Sequence, residues 1–237
     1  MAFSSNDMYT GNLYSKNKPT WDDEGTGWKA LIIQKLLQKN NVFPESIVEV
    51  GCGAGGILKE LSLLNPSIKS LKGYDISPYA IAMANKHTNE KLQFFNTDYI
   101  NSNDAGGDVL LVIDVIEHID DYYGFLNKLR GRSNNVVFHI PLDLSSRNIL
   151  KPHTILLQRQ LVGHLHYFTK EIAEWALKDT GFTVIDWEYT KPAIDTEVAK
   201  SFKTSLKKTL RNISFAVNKD WSVKMWGGYS MMILAKG

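Results

Sequence analysis

The sequence predicts an α/β protein in which helices cover both faces of a mainly parallel sheet. Short runs of β-branched and aromatic residues alternate with segments of helical periodicity along most of the chain. One of these runs, Asp108–Ile113, reads DVLLVI and is apolar after its first residue, which is typical of a strand buried on both faces. Ligands of such sheets bind beyond the carboxyl ends of the strands, and we expect the functional residues there.

The N-terminal residues 1–27 are polar and aromatic with several glycines, so we predict an irregular arm. A substrate lid and a packed extension are equally compatible with its aromatic residues, which are Tyr9, Tyr14, Trp21 and the adjoining Trp28. The next segment, Trp28–Lys39, is predicted as a helix because its apolar residues recur at helical spacing: Ala30, Ile33, Leu36 and Leu37.

Seven segments are predicted as strands, since they are rich in β-branched or aromatic residues and are bounded by Gly, Pro, Asn or Asp. They are Ser46–Val50, Leu71–Tyr74, Leu92–Phe95, Asp108–Ile113, Asn135–Ile140, Phe182–Tyr189 and Ser230–Leu234. The segment between Pro141 and Gly163 has no clear periodicity and is predicted as a loop.

Helices are predicted between these strands, at Ile57–Leu64, Pro78–Lys86, Tyr122–Leu129, Lys170–Lys178 and 196–213. Asn65-Pro66 ends the first of them, while Ser77 and Pro78 supply an N-cap and a first-turn proline to the second. In the last helix an apolar stripe opposes lysine and arginine residues, which predicts a solvated charged face, with contact to a phosphorylated or lipid-linked substrate as the alternative. The stripe consists of Ala199, Phe202, Leu206 and Leu210.

The composition is that of an ordinary globular protein, with 237 residues of which 43% are hydrophobic and 22% are charged. We predict a single domain with an arm at 1–27, a core at 28–190, a variable segment at 191–227 and a last strand within 228–237. Lys and Arg number 27 against 25 Asp and Glu, and the resulting net charge of +2 argues against a nucleic-acid partner.

A cytoplasmic location is expected from the same composition. Cys52 is the single cysteine, which excludes an internal disulfide framework and suits a reducing compartment. No run approaches the ~18 apolar residues of a membrane span. The N-terminal residues also lack the charged and then apolar pattern of a secretory signal.

A glycine-rich segment follows the first predicted strand and reads VEVGCGAGG at 48–56. Glycines at this position let the backbone turn sharply and approach a ligand closely. The loop alone is ambiguous, because Gly51, Gly53 and Gly56 also satisfy the dinucleotide-binding pattern G-x-G-x-x-G.

Three acidic residues distinguish between the possible ligands. Glu49 lies within the strand, where its charge favours a cationic amino-acid cofactor over a pyrophosphate. Asp75 ends the second strand, where its carboxylate can accept both ribose hydroxyls, and Asp98 follows the third, where it suits an adenine amino group. The implied ligand carries adenosine and a positive charge without phosphate, a description that S-adenosylmethionine meets and NAD does not.

These motifs resemble the class I S-adenosylmethionine-dependent methyltransferases, small-molecule type. The matching segments are VEVGCGAGG (48–56), GYDIS (73–77), FFNTDY (94–99) and DVLLVIDVIEHI (108–119), with later similarity at YFT (167–169) and GFTVIDWE (181–188). The resemblance implies a Rossmann-like, doubly wound, seven-stranded sheet, mostly parallel with an antiparallel last strand. It also implies a set of cofactor-binding residues, which are Glu49, Gly51, Cys52, Gly53, Gly55, Asp75, Ile76, Asp98, Tyr99, Asp114 and Val115.

The expected activity is methyl transfer to a hydroxyl or amine of a small molecule in glycan, nucleotide-sugar or secondary-metabolite biosynthesis. The expected substrates include molecules that contain a sugar or a phosphate. The sequence does not indicate an oligomeric state. A nicotinamide-dependent oxidoreductase, an RNA methyltransferase and a non-catalytic cofactor-binding protein remain as alternatives.

A general base is sought among three histidines. His118, after the fourth strand, is the first candidate, and His164 and His166 follow because a loop after the fifth strand can cover the site. Packing beneath the loop is the alternative for His118. We predict no metal, since His164 and His166 lack a third clear ligand. Cys52 is interpreted as a small packing residue rather than a nucleophile.

Overall fold

A seven-stranded sheet organises the part of the chain that the computed structural model describes, namely residues 5–11, 13–21, 25–195 and 202–237. Its strands are β1 (Ser46–Val50), β2 (Ser70–Asp75), β3 (Leu92–Asn96), β4 (Val109–Ile113), β5 (Asn135–Pro141), β6 (Thr183–Thr190) and β7 (Ser230–Lys236). The order across the sheet is β3-β2-β1-β4-β5-β7-β6. β1 to β5 pair in parallel, whereas β7 is antiparallel to both β5 and β6, so the predicted fold class and the antiparallel last strand are confirmed.

The chain reverses its direction of travel across the sheet between β1 and β4. From β1 it moves outward through β2 to β3, and it then returns to place β4 on the other side of β1. The loops that leave β1 and β4 therefore diverge and open a crevice at the carboxyl edge of the sheet.

Helices cover both faces of this sheet. They are α1 (Ser5–Thr10), α2 (Leu13–Asn17), α3 (Thr26–Lys39), α4 (Gly56–Leu64), α5 (Pro78–Ala84), α6 (Tyr122–Leu129), α7 (Ser146–Leu150), α8 (His153–Val162), α9 (Lys170–Asp179), α10 (Pro192–Asp195), α11 (Phe202–Val217) and α12 (Lys219–Trp226). Within the described ranges, no helix combines the length and the apolar character needed to cross a bilayer.

The core consists of two apolar layers, one on each face. α3, α4 and α5 pack on one face, and α6, α9 and α12 on the other. β4 contributes to both layers: Leu110 and Val112 join one, while Val109, Leu111 and Ile113 join the other. All five residues are buried, which confirms the prediction of a strand covered on both faces.

Two segments predicted as irregular contain helices. The N-terminal arm forms α1 and α2, and the loop expected after β5 forms α7 and α8. No residue of α8 is buried, so this helix has no apolar periodicity for a sequence pattern to reveal. α7 begins where the side chain of Ser145 accepts a hydrogen bond from the amide of Asn148, a local N-cap that the prediction overlooked.

Only part of the helix predicted at 196–213 lies within the described residues. Residues 196–201, among them Ala199, lie outside the described residues, and α11 extends to Val217 before α12 follows, which was not predicted. Leu206 and Leu210 of its apolar stripe are about half exposed, at 50% and 46%. This part of the stripe therefore lies at the surface rather than in the core.

Candidate active site

A cavity of about 680 Å³ occupies the crevice at the carboxyl edge of the sheet. Its volume is within the range of ~300–1,000 Å³ of small-molecule sites. The predicted site residues line it with two exceptions, Gly55 and His166. The arm contributes Tyr9, Tyr14 and Trp21 to the same wall, and α8 contributes Leu157 and Leu161.

The glycine-rich loop after β1 presents bare backbone to this cavity. The amides of Gly51 and Cys52 donate to the carbonyl of Tyr74 at 2.8 and 3.1 Å, which holds the loop against β2. Gly53 has a φ of +53°, and a Cβ there would have only Trp21 within 4 Å, at 3.9 Å. The loop can therefore admit a ligand against the Gly53 backbone.

Two other glycines of the loop, Gly51 and Gly55, are enclosed by neighbouring side chains. Gly51 has a φ of +69°, and a Cβ there would lie 2.6 Å from the side chain of Val115. A Cβ on Gly55 would lie 2.5 Å from Phe94, and Gly55 does not line the cavity, so its predicted role in cofactor binding is not supported. Cys52 is buried, and burial raises the pKa of its thiol well above the ordinary value, in agreement with a packing role.

Asp75, at the end of β2, holds the loop and faces the cavity. Its Oδ2 accepts a hydrogen bond from the amide of Gly53 at 2.9 Å, and its Oδ1 accepts one from the amide of Ser77 at 2.8 Å. Burial raises the pKa of this carboxyl group, and the two amide hydrogen bonds act in the opposite direction. Each carboxylate oxygen keeps a lone pair with which to accept a ligand hydroxyl.

Opposite charges are arranged behind the loop. Glu49 is only 1% exposed, and its Oε2 has no hydrogen-bond partner among the described residues. Burial raises the pKa of Glu49, with Lys29 opposing that shift. Lys29 lies on α3 and its Nζ donates to Oδ2 of Asp114 at 2.6 Å. A site that binds a zwitterionic amino acid needs an anion for its ammonium group and a cation for its carboxylate, and Glu49 and Lys29 are groups of these kinds.

Asp114, just after β4, is the centre of a charged network. Its Oδ1 lies 2.6 Å from Nδ1 of His139, whose Nε2 lies 2.8 Å from the hydroxyl of Thr190. Burial opposes ionisation, but His139 and Lys29 together hold the pKa of Asp114 well below its usual range. Asp114 also has a φ of +54°, a strained conformation for a non-glycine residue that recurs at functional sites.

Asp98 and Tyr99 follow β3 and differ in their access to the cavity. Asp98 is exposed and caps a short 3₁₀ turn, accepting from the amide of Ile100 at 3.0 Å. This capping role is compatible with a ligand contact, since Asp98 also lines the cavity. Tyr99 is 1% exposed, and its hydroxyl donates to the carbonyl of Asp104, so it forms part of the core beneath the cavity.

Glu117, His118 and His164 form a cluster of buried and half-buried side chains in the wall of the same cavity. The rings of the two histidines meet edge to face, with centroids 4.9 Å apart. Glu117 is 1% exposed, and neither carboxylate oxygen has a partner among the described residues. Burial, together with the neighbouring His164, lowers the pKa of His118 to about 3, so this imidazole is neutral at neutral pH.

The cluster forms because the loop after α8 folds back onto the end of β4. The amides of Leu165 and His166 both donate to the carbonyl of Glu117, at 2.7 and 3.1 Å. His166 itself lies outside the cavity lining, and its Nε2 donates to the carbonyls of Ile119 and Asp120. The structure thus places His166 where it fastens the loop and does not bring it into the cavity wall with the other predicted site residues.

Two functional candidates were missed in the sequence. Glu117 directly precedes His118, yet its proximity to His164 depends on the fold of a distant loop. Lys29 falls within an ordinary helix. For Glu117 a signal existed, since it follows a strand of a parallel sheet at the carboxyl end, where ligands of such sheets bind.

One family model and several solved structures match the chain. A profile described as "Methyltransferase domain" matches residues 26–186. The magnesium protoporphyrin IX methyltransferase of Synechocystis PCC 6803 with bound SAH superposes with a TM-score of 0.65 at 14% identity, over 98% of this chain and 99% of that chain. The plantazolicin methyltransferase BpumL in complex with SAH has a TM-score of 0.63 at 19% identity, over 98% and 94%.

A third solved structure has a related fold. The cyclopropane synthase MmaA2 from Mycobacterium tuberculosis has a TM-score of 0.58 at 13% identity, over 81% of this chain and 78% of that chain. No curated protein sequence matches the chain closely enough to indicate a relative.

Proposed function

The chain belongs to the methyltransferase domain family, and we propose that it binds S-adenosylmethionine and methylates a small-molecule acceptor. The observation that carries this proposal is the unpaired, buried carboxylate oxygen of Glu49 in the same cavity as the carboxylate of Asp75. A cationic group and a diol are the ligands that these carboxylates best accept. The SAH bound to two of the similar structures supports the same cofactor.

In this proposal three charged groups of the cavity each bind one part of the cofactor. Glu49 receives the ammonium group of the methionine moiety, and Lys29 is the cation available to its carboxylate. Asp75 accepts the ribose hydroxyls, and the open backbone at Gly53 lets the cofactor approach closely. Ile76 and Val115, which also line the cavity, supply apolar contact.

Methyl transfer depends more on how the side chains position the two reactants than on acid–base or covalent catalysis by those side chains. A lone pair of the acceptor attacks the methyl carbon, the carbon–sulfur bond breaks, and its electron pair stays on sulfur in neutral S-adenosylhomocysteine (SAH). Aligning the two reactants and excluding water supply much of the rate acceleration. The cavity runs from Asp75 to His118 and His164, so it can hold both reactants together.

The acceptor is proposed to lie beside His118 and His164, under the arm and α8. The low pKa of His118 makes its imidazole a weak general base at neutral pH. An acceptor that is already neutral and nucleophilic, or whose hydroxyl is acidified by another group, is therefore favoured. Glycan, nucleotide-sugar and secondary-metabolite intermediates remain the proposed substrate classes, and two of the similar structures are named for small-molecule substrates.

The cofactor is tested by thermal denaturation of the full chain with separate additions of SAH and NAD. SAH should raise the melting temperature, and the rise should grow with the logarithm of its concentration above Kd, whereas NAD should not raise it. Equal stabilisation by NAD would contradict the proposal. The acceptor class is then tested by a methyl-transfer screen over sugar nucleotides, glycan intermediates and phenolic metabolites.

A further inference from the structure

Glu117, His118 and His164 have donor atoms that all lie within 4.8 Å of one another at the cavity wall. Glu117 comes from the turn after β4, beside His118, and His164 comes from the loop after α8. An ionised carboxylate buried without a partner costs several kcal/mol, so Glu117 requires either a proton or a cation. Oε1 of Glu117 lies 3.8 Å from Nε2 of His118, which is too far for a hydrogen bond between them.

The partner of His118 fixes which of its nitrogens faces the cluster. The hydroxyl of Tyr9 donates its single proton to the carbonyl of Val162 at 2.7 Å. Its oxygen lies 2.7 Å from Nδ1 of His118 and can only accept there, so Nδ1 carries the proton. Nε2 of His118 therefore keeps a free lone pair.

His164 is oriented in the same way by a carboxylate. Its Nδ1 lies 2.8 Å from Oδ2 of Asp143, and Oδ1 of Asp143 accepts from the amide nitrogen of Gln158 at 2.9 Å. The proton on Nδ1 again leaves Nε2 with a lone pair. Histidines that bind metals are held in this manner, with the second nitrogen donating to a carboxylate or another oxygen.

We propose that Glu117, His118 and His164 bind one divalent transition-metal ion, with Zn²⁺ as the best match. Two imidazoles and one carboxylate form the ligand set of catalytic zinc sites that keep an open coordination position. Imidazole nitrogens disfavour Mg²⁺ and Ca²⁺, which prefer oxygen ligands. Glu117 supplies the third ligand whose absence from the sequence pattern argued against a metal.

The role of the ion rests on the proposed function. The three ligands line the cavity, so an ion bound to them would lie beside the space assigned to the acceptor. Such an ion would lower the pKa of an acceptor hydroxyl bound to it, because the cation stabilises the oxyanion, and the hydroxyl proton would pass to water. The oxygen lone pair then forms the bond to the methyl carbon while the carbon–sulfur pair passes to sulfur. This role restricts the acceptor to alcohols and phenols. The low basicity of His118 does not prevent the reaction, because the ion rather than the imidazole promotes loss of the hydroxyl proton.

The test is calorimetric titration of Zn²⁺ into the chelator-treated full chain, without cofactor. The wild-type chain should bind one equivalent. Glu117→Gln and His164→Ala should weaken binding by more than about 100-fold, and Asp143→Asn by about 10–100-fold, as expected of an outer partner. The matched control is His153→Ala, an exposed histidine on α8 that does not line the cavity and should bind Zn²⁺ like the wild type.

Two results would overturn the inference: a wild-type chain that binds no Zn²⁺, or a Glu117→Gln variant that binds it as tightly as the wild type. Thermal denaturation with Zn²⁺ checks that the variants fold, since each should still unfold cooperatively while Zn²⁺ stabilises the wild type and His153→Ala more strongly than the other variants. SAH affinity is measured on the same samples. Zn²⁺ binding without SAH binding would support the metal site and reject the proposed function, and SAH binding without Zn²⁺ binding would do the reverse.

Discussion

At the scale of single residues, the candidate site depends on carboxylates whose surroundings differ. Asp75 is held by two amides and keeps lone pairs for a ligand, whereas Asp114 is fully engaged by Lys29 and His139. Glu49 and Glu117 are both buried, line the same cavity and have carboxylate oxygens without a partner among the described residues. These oxygens can accept a ligand, whereas the paired oxygens hold the site together.

Asp75→Ala should weaken SAH binding by about 1.5–3 kcal/mol, because two ribose hydroxyls lose a charged acceptor. Calorimetric titration of SAH measures the change. The matched control is Asp121→Ala, which also removes a carboxylate that accepts a backbone amide, from Gly124, but away from the cavity. Unchanged SAH affinity in Asp75→Ala would remove this residue from the site.

Gly53→Ala should weaken SAH binding by about 1–3 kcal/mol, because the added Cβ projects into the cavity where the cofactor approaches the backbone. It should also lower stability by about 1–2 kcal/mol, the cost of a positive φ. Gly131→Ala is the control, since Gly131 has a φ of +78° and open space around it but does not line the cavity. Both variants should lose similar stability in urea denaturation, and a similar loss of SAH affinity in both would show that the loop does not touch the cofactor.

At the scale of elements, the arm and α8 form one cover over the cavity. α2 packs against α8, and the side-chain amide of Asn17 donates to the carbonyl of Leu161 at 3.1 Å. Tyr9 joins α1 both to Val162 and to His118. The arm is therefore a packed part of the cavity wall, and a lid role remains a prediction.

Tyr9→Phe should lower the free energy of unfolding by about 1–3 kcal/mol, because the Val162 carbonyl and Nδ1 of His118 lose their partner. Urea denaturation measures this, and hydrogen exchange of the α1 amides should accelerate. Tyr123→Phe is the control, since that tyrosine is exposed and should change stability by less than about 0.5 kcal/mol. Equal effects of the two substitutions would show that Tyr9 does not fasten the arm.

At the scale of the whole molecule, the described part of the arm lies outside the two core layers. Among the described residues, neither apolar layer includes a residue of the arm, although Met8 is 2% exposed against the loop at Gly163. The sheet and its helices should therefore fold without the arm.

Deletion of residues 1–21 should leave cooperative unfolding intact but weaken SAH binding by at least about tenfold, or ~1.4 kcal/mol, through the loss of Tyr14 and Trp21 from the wall. Circular dichroism during heating and calorimetric titration of SAH measure the two effects. If the truncated chain keeps full SAH affinity, the arm does not contact the cofactor and its contacts are limited to the acceptor.

The sequence alone determined the sheet and the cofactor end of the site. β1 and α6 have the predicted bounds, and the remaining strands differ from prediction by at most two residues at either end. These elements are buried and periodic, so their patterns follow directly from what packs inside. Glu49, the glycine loop and Asp75 were predicted for a similar reason, because each lies at a fixed offset from a strand end.

The end of the cavity proposed for the acceptor depends on contacts between distant parts of the chain. No residue of α8 is buried, so the helix lacks the core-facing apolar stripe by which a sequence pattern identifies a helix. Glu117 meets His164 because the loop after α8 folds back onto the end of β4. Lys29 reaches Asp114 from a helix that precedes the sheet. These contacts join residues far apart in the chain, and local propensity carries no information about which distant side chains will share one cavity.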